Sequence, residues 1–196
     1  MKIDRRLNLV LETEAPDGSP VHVHSAPVSR AIWEASYRLI TKTMSVMYAD
    51  GLTPGTGSRV AMMYLKDTAK EMDGSGTNAP GTFARQCSAL LNEIWRLTNV
   101  ISIDKAGRWQ TLPFQEMLDK QLMEEDILAE VQNTVTFFTL ASWFHKDSER
   151  QDLYTLMKAY GGQITSSDST EYQSLLPIWT RAGSTGAMAT ASSIPH

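Results

Sequence analysis

Leu7-Asn8-Leu9-Val10-Leu11-Glu12-Thr13-Glu14, then Ala15-Pro16-Asp17-Gly18-Ser19-Pro20, then Val21-His22-Val23-His24, is the stretch that decides the fold class. Leu7, Leu9, Leu11 and Thr13 alternate with Asn8, Val10, Glu12 and Glu14, the two-residue period of a strand with one buried face. The Pro-Asp-Gly segment is a dense turn signal, and alternation resumes after it, so a β-hairpin is predicted. Pro20 cannot donate a ladder hydrogen bond, which places it at a strand start or on an edge. Everything downstream to about residue 161 reads chiefly as helix. The expected class is therefore α+β, predominantly α-helical: an N-terminal hairpin followed by a bundle of about five to six helices, with room for a small second hairpin near 100–111.

Moving outward, Ser29 is placed to cap a first helix, with Val28 and Trp33 as a hydrophobic staple. Trp33, Tyr37, Ile40, Met44 and Met47 recur at helical steps and predict its apolar stripe. Gly51 follows Asp50 as a left-handed stop. Ser58 is expected to cap a second helix burying Ala61, Leu65, Ala69 and Met72. A loop is predicted from Asp73 to Gly81, and Thr82 as the cap of a third helix burying Phe83, Cys87, Leu90, Leu91, Ile94 and Leu97. Val100, Ile101 and Ile103 switch to strand character, Lys105 to Arg108 turns the chain, and Trp109 and Thr111 return it. Pro113 suits the first turn of a short helix through Leu118. Glu124-Glu125-Asp126 opens the longest helix, favoured by the positive end of its dipole. Ile127, Val131, Thr134, Val135, Phe138, Ala141 and Phe144 mark that helix as central to the core. Asp147 or Ser148 is expected to cap a last helix carrying Leu153, Leu156, Met157 and Tyr160.

Past Gly161-Gly162 the composition turns to Ser, Thr, Ala and Gly, broken by Leu175-Leu176-Pro177-Ile178-Trp179. So little apolar surface does not offset the entropy of ordering. The expected division is a single mostly helical domain over 1–161 and a flexible tail over 162–196.

A net charge of −4 argues against sequence-independent nucleic-acid binding, which rests on Lys and Arg neutralising phosphates. No apolar run reaches the length of a membrane span, and the charged N-terminus lacks the pattern of a secretory signal. With Cys87 as the single cysteine, no internal disulfide forms. A reducing compartment is the expectation.

Candidate chemistry is sparse. His22 and His24 share one strand face and could begin a metal site, but further ligands are needed and a solvated face is expected. Gly55-Thr56-Gly57-Ser58-Arg59 precedes a helix, where N–H groups can meet an anion, yet it matches neither phosphate-loop pattern, and a flexible loop is expected. Cys87 faces inward as a core thiol. Glu124, Glu125 and Asp126 point in different directions and do not converge on one atom. No catalytic, cofactor-binding or metal residues are expected, and no enzyme. Two features suggest partner contact. Met44 and Met47, among ten methionines that also include Met62, Met63, Met72, Met117 and Met123, could line a groove for apolar ligands or simply fill the core. Leu175, Leu176, Ile178 and Trp179 form a short apolar motif able to dock on another chain or on the parent domain.

The order of elements resembles the tail assembly chaperones of long-tailed bacteriophages. The stretches that carry the likeness are Leu7 to His24 leading into Ser29 to Gly51, Leu112 to Leu118 followed by Glu124 to Ser142, and the tail from Thr170 to Gly186. The resemblance implies a non-catalytic protein of the host cell cytoplasm that takes part in virion assembly. Its partners would be the tape measure protein and the tail tube subunits, with neither nucleic acid nor membrane among them. The alternative expectation is a structural virion protein, such as a connector, tail-completion or capsid-associated component. A homo-oligomer through the exposed hairpin edge is compatible with either.

Overall fold

The computed structural model describes residues 2–3, 8–52, 54–76, 78–104 and 106–142. The expected last helix at 147–160 and the tail with its motif at 175–179 lie outside the described residues. The class is α+β. β1 (Lys2–Ile3), β2 (Leu9–Glu14) and β3 (Pro20–Ser25) precede four helices, α1 (Arg30–Ala49), α2 (Pro54–Gly57), α3 (Ala61–Gly74) and α4 (Thr82–Arg96). Two strands, β4 (Thr98–Ile103) and β5 (Trp109–Pro113), and two helices, α5 (Phe114–Asp119) and α6 (Glu125–Ser142), complete them.

The two hairpins are not separate. They join into one antiparallel sheet of order β1-β2-β3-β4-β5, with Ser25 opposite Thr98 and His22 opposite Ile101 across the seam. The first hairpin turns as predicted: Gly18 N–H donates to the Ala15 carbonyl at 2.8 Å, and Ser19 N–H to Asp17 Oδ1 at 2.9 Å. At the seam, the buried Thr98 hydroxyl donates to the Ile94 carbonyl at 2.8 Å. Its single proton is thereby used, so the Ser25 hydroxyl, 2.9 Å away, must donate to it. One hydroxyl pair thus ties the end of α4 to both hairpins.

One face of the sheet, with Leu9, Leu11, Val21, Val23 and Val100, joins the helices in the main core. α3 packs against α1, α4 and α6. α6 is the central helix: every residue from Asn133 to Ser142 is buried, so the helix is enclosed on all sides over that stretch. Thr136 and Thr139 bond within the helix, to the Gln132 and Val135 carbonyls, while Thr134 donates to the Ser58 carbonyl outside it. A buried hydroxyl is tolerable only with such a partner.

Two of the three expected caps differ from what forms. Ser29 caps α1 as read, accepting from Ile32 N–H at 3.4 Å. Ser58 does not cap the next helix. It is buried and donates to the Gly55 carbonyl at 2.8 Å, closing the one-turn helix α2, and α3 starts three residues later. The free N–H of Met62 in the first turn of α3 is taken instead by Asn133 Oδ1 of α6, at 3.0 Å. Thr82 does not cap α4 either: it is the first residue of the helix, Gly81 holds the cap position, and the Thr82 hydroxyl donates to the Ala79 carbonyl. Asp73, expected in a loop, lies in the last turn of α3, and its two oxygens each accept at 2.9 Å from Phe83 and Ala84 N–H. Both helix starts are closed by side chains from other elements.

The stripe on α1 is also rotated from the reading. Ser36, Leu39, Ile40, Thr43, Met44 and Met47 are buried, whereas Tyr37 is 48% exposed. Thr43 takes a central position because its hydroxyl satisfies itself on the Leu39 carbonyl at 2.8 Å. Small polar side chains at Ser36 and Thr43 let neighbouring elements approach, and the bulkier tyrosine is turned outward.

Candidate functional site

His22 and His24 stand on the sheet face opposite the main core. The expectation of a solvated face fails for His22, which is only 5% exposed. Val10 and Ile101 form a small second cluster there with Trp109, whose ring centroid lies 5.8 Å from that of His22. Cross-strand pairing puts Glu12 opposite His22, with Oε1 3.3 Å from Nδ1. Burial holds the imidazole below its ordinary pKa, and the Glu12 charge offsets part of that effect. His24 is half-buried, one residue pair further along. The two histidines share a face, but among the described residues no three His, Cys, Asp or Glu side chains gather as a metal-holding group.

The Gly55–Arg59 segment is not a flexible loop. Gly55, Gly57 and Ser58 are buried, and a Cβ on Gly57 would meet Met47 Cε at 2.9 Å and Phe137 Cε2 at 3.1 Å. That glycine serves close packing between α2, α1 and α6. Cys87 is a free, buried thiol, and its burial pushes the pKa up against a smaller opposing pull from Lys66. Glu124, Glu125 and Asp126 are exposed at the start of α6.

The methionines divide. Met44 and Met47 are 4% and 1% exposed and belong to the core, so in this structure they are not part of an exposed partner face. Met117 and Met123 are buried too, while Met63 is 58% exposed. Leu175, Leu176, Ile178 and Trp179 lie outside the described residues.

The reading of the sequence missed that Tyr37 and Tyr48 on α1 face outward, at 48% and 50% exposure, as does Met63 on α3. Tyr37 and Tyr48 are eleven residues apart on α1, three turns plus a small remainder, so they project from one side about 16 Å apart. Trp33, half-buried, sits against Tyr37 with ring centroids 5.2 Å apart in a tilted arrangement. The usable signal was Ser36 and Thr43, which mark the true centre of the buried stripe. No helix among the described residues is long and apolar enough to cross a membrane.

No protein-family model, curated protein or solved structure matches this chain.

Proposed function

We propose that this chain is a non-catalytic tail assembly chaperone of a long-tailed bacteriophage, one that holds the tape measure protein and helps recruit tail tube subunits in the host cytoplasm. The reading draws its identity from the order of elements along the chain. Its physical support is one observation: Tyr37 and Tyr48 give α1 two half-exposed aromatic rings on its outer side, and Trp33, itself packed partly against the core, braces the Tyr37 ring. Half-exposed aromatic rings offer large contact area at low entropic cost and suit amphipathic helices that must later be released. The surrounding exterior is charged and keeps such a carrier in solution.

Co-expression with a tape measure protein tests the reading. The partner should shift from the insoluble to the soluble fraction and co-purify, and the paired change Tyr37→Ser with Tyr48→Ser should abolish both effects while leaving the far-ultraviolet circular dichroism unchanged. A partner whose solubility does not respond to the unaltered chain would refute the chaperone role. Mass spectrometry of purified particles separates it from a virion component: a chaperone is absent from the finished tail, whereas a structural protein is present in fixed ratio.

A further inference from the structure

A cleft of about 410 Å³ opens where the middle of α1 meets the end of α3 and the start of α4. Its volume falls within the range of small-ligand sites. Arg38 and Lys42, four residues apart on α1, line one wall together. The Arg38 guanidinium carbon stands 5.9 Å from the centroid of the Phe83 ring, an arrangement that holds the cation over an aromatic face. Phe83 is 2% exposed and Met72 is partly buried, so the base of the cleft is apolar. Thr41 is committed to its own helix, donating to the Tyr37 and Arg38 carbonyls at 2.8 and 3.2 Å. Glu71 supplies the acidic member of the lining. Among the described residues, neither Arg38, Lys42 nor Glu71 forms an ion pair.

We propose that this cleft binds a carboxylate carried on a short apolar stem. Two unpaired cations invite an anion, and the planar guanidinium matches a carboxylate in a bidentate pair. Glu71 leaves the lining with a net single positive charge, which one carboxylate neutralises, whereas the second charge of a phosphate dianion goes unmatched and faces Glu71. Met72, only partly buried, provides the apolar surface against which the stem packs, over a floor closed by Phe83. The carboxylate comes either from a free organic acid or from an acidic side chain of another polypeptide. The site adjoins the aromatic side of α1 at Thr41 but uses neither Tyr37 nor Tyr48, so it stands whether or not the chaperone reading does.

The test is a nuclear magnetic resonance titration of the full chain with 3-phenylpropionate, 3-phenyl-1-propanol and phenyl phosphate as probes. The carboxylate should give saturable shifts at Arg38, Lys42 and Phe83, and should bind about ten-fold more tightly than the alcohol. The double variant Arg38→Gln with Lys42→Gln should lose about ten-fold in affinity, and Glu71→Gln should gain a few-fold and admit the phosphate. Salt should weaken carboxylate binding to the unaltered chain, a measurement that holds whatever the variants do. A carboxylate that gives no saturable shift, binds no better than the alcohol, or ignores the double variant overturns the proposal. A capped helical peptide with one glutamate between leucines identifies the source. Tighter binding than 3-phenylpropionate assigns the site to a partner's side chain, and weaker binding assigns it to a free acid.

Discussion

The start of α1 and the starts of α3 and α4 solve one problem in opposite ways. Each helix has N–H groups in its first turn that no residue inside it can satisfy. α1 uses its own neighbour, Ser29, through an exposed bond of 3.4 Å. α3 depends on Asn133, 71 residues away on α6, and α4 on Asp73, 10 and 11 residues back on α3. A local cap stabilises its helix whatever the rest of the chain does. A distant cap exists only when two helices have already met, so it makes each conditional on the other. The lesson is that distant caps couple α3, α4 and α6, whereas α1, locally capped, is joined to them by packing and by bonds away from its start, Gln86 Nε2 to the Ala35 carbonyl and the Tyr64 hydroxyl to Asp50 Oδ2.

Asn133→Ala should produce the largest loss, because it frees a Met62 N–H inside the structure and removes a side chain that also donates to the Ala129 carbonyl at 2.8 Å. A cost of about 2–3 kcal/mol is expected in urea unfolding. Hydrogen exchange should then accelerate in α3 and α6 together; acceleration confined to α6 would break the comparison. Asp73→Ala should cost about 1–2 kcal/mol, and Asp73→Asn should recover only part of it, since one carbonyl oxygen replaces two acceptors. Equal stability of Asn and Ala at this position would argue that the carboxylate caps nothing. Ser29→Ala should cost about 0.5–1 kcal/mol, with exchange faster only in the first turn of α1.

The sheet sharpens the contrast with an effect of the smallest expected size. His22 is buried with its pKa held down, so the unfolded chain takes up a proton first as the medium acidifies. Stability should be complete above the ordinary imidazole value of about 6.5 and fall below it, until the folded imidazole also titrates. Urea midpoints at about pH 7.5 and about pH 5.5 should differ less in His22→Gln than in the unaltered chain. The reverse ordering would mean that Glu12 outweighs burial.

Much of this fold is written in short-range pattern. Ser29, Gly51, the turn at Asp17-Gly18, and Pro113 ahead of α5 all act within a few residues of themselves, and each lies where local chemistry places it. The joining of the hairpins through β3 and β4 is not local. Neither is the capping by Asp73 and Asn133, nor the closeness at Gly57, whose neighbours are Met47 and Phe137. A glycine between turn residues looks the same whether it bends freely or is pressed against a ring. Periodicity likewise located the α1 stripe only to within a fraction of a turn, enough to misplace Tyr37. Of the candidate site, Met44 and Met47 were legible as apolar, with groove and core both open, and the structure places them in the core. The Arg38–Lys42 wall became visible only when α3 and α4 supplied its opposite side.

The seam between β3 and β4 has a consequence for how this polypeptide is born. Ser25 and Thr98 are 73 residues apart, yet their hydroxyls must meet to complete the sheet. At translation speeds of about 5–20 residues per second, roughly 4 to 15 seconds separate the synthesis of the first hairpin from that of its neighbouring strand. Through that interval the inner ladder of β3 has no mate, and any passing strand is a competitor for it.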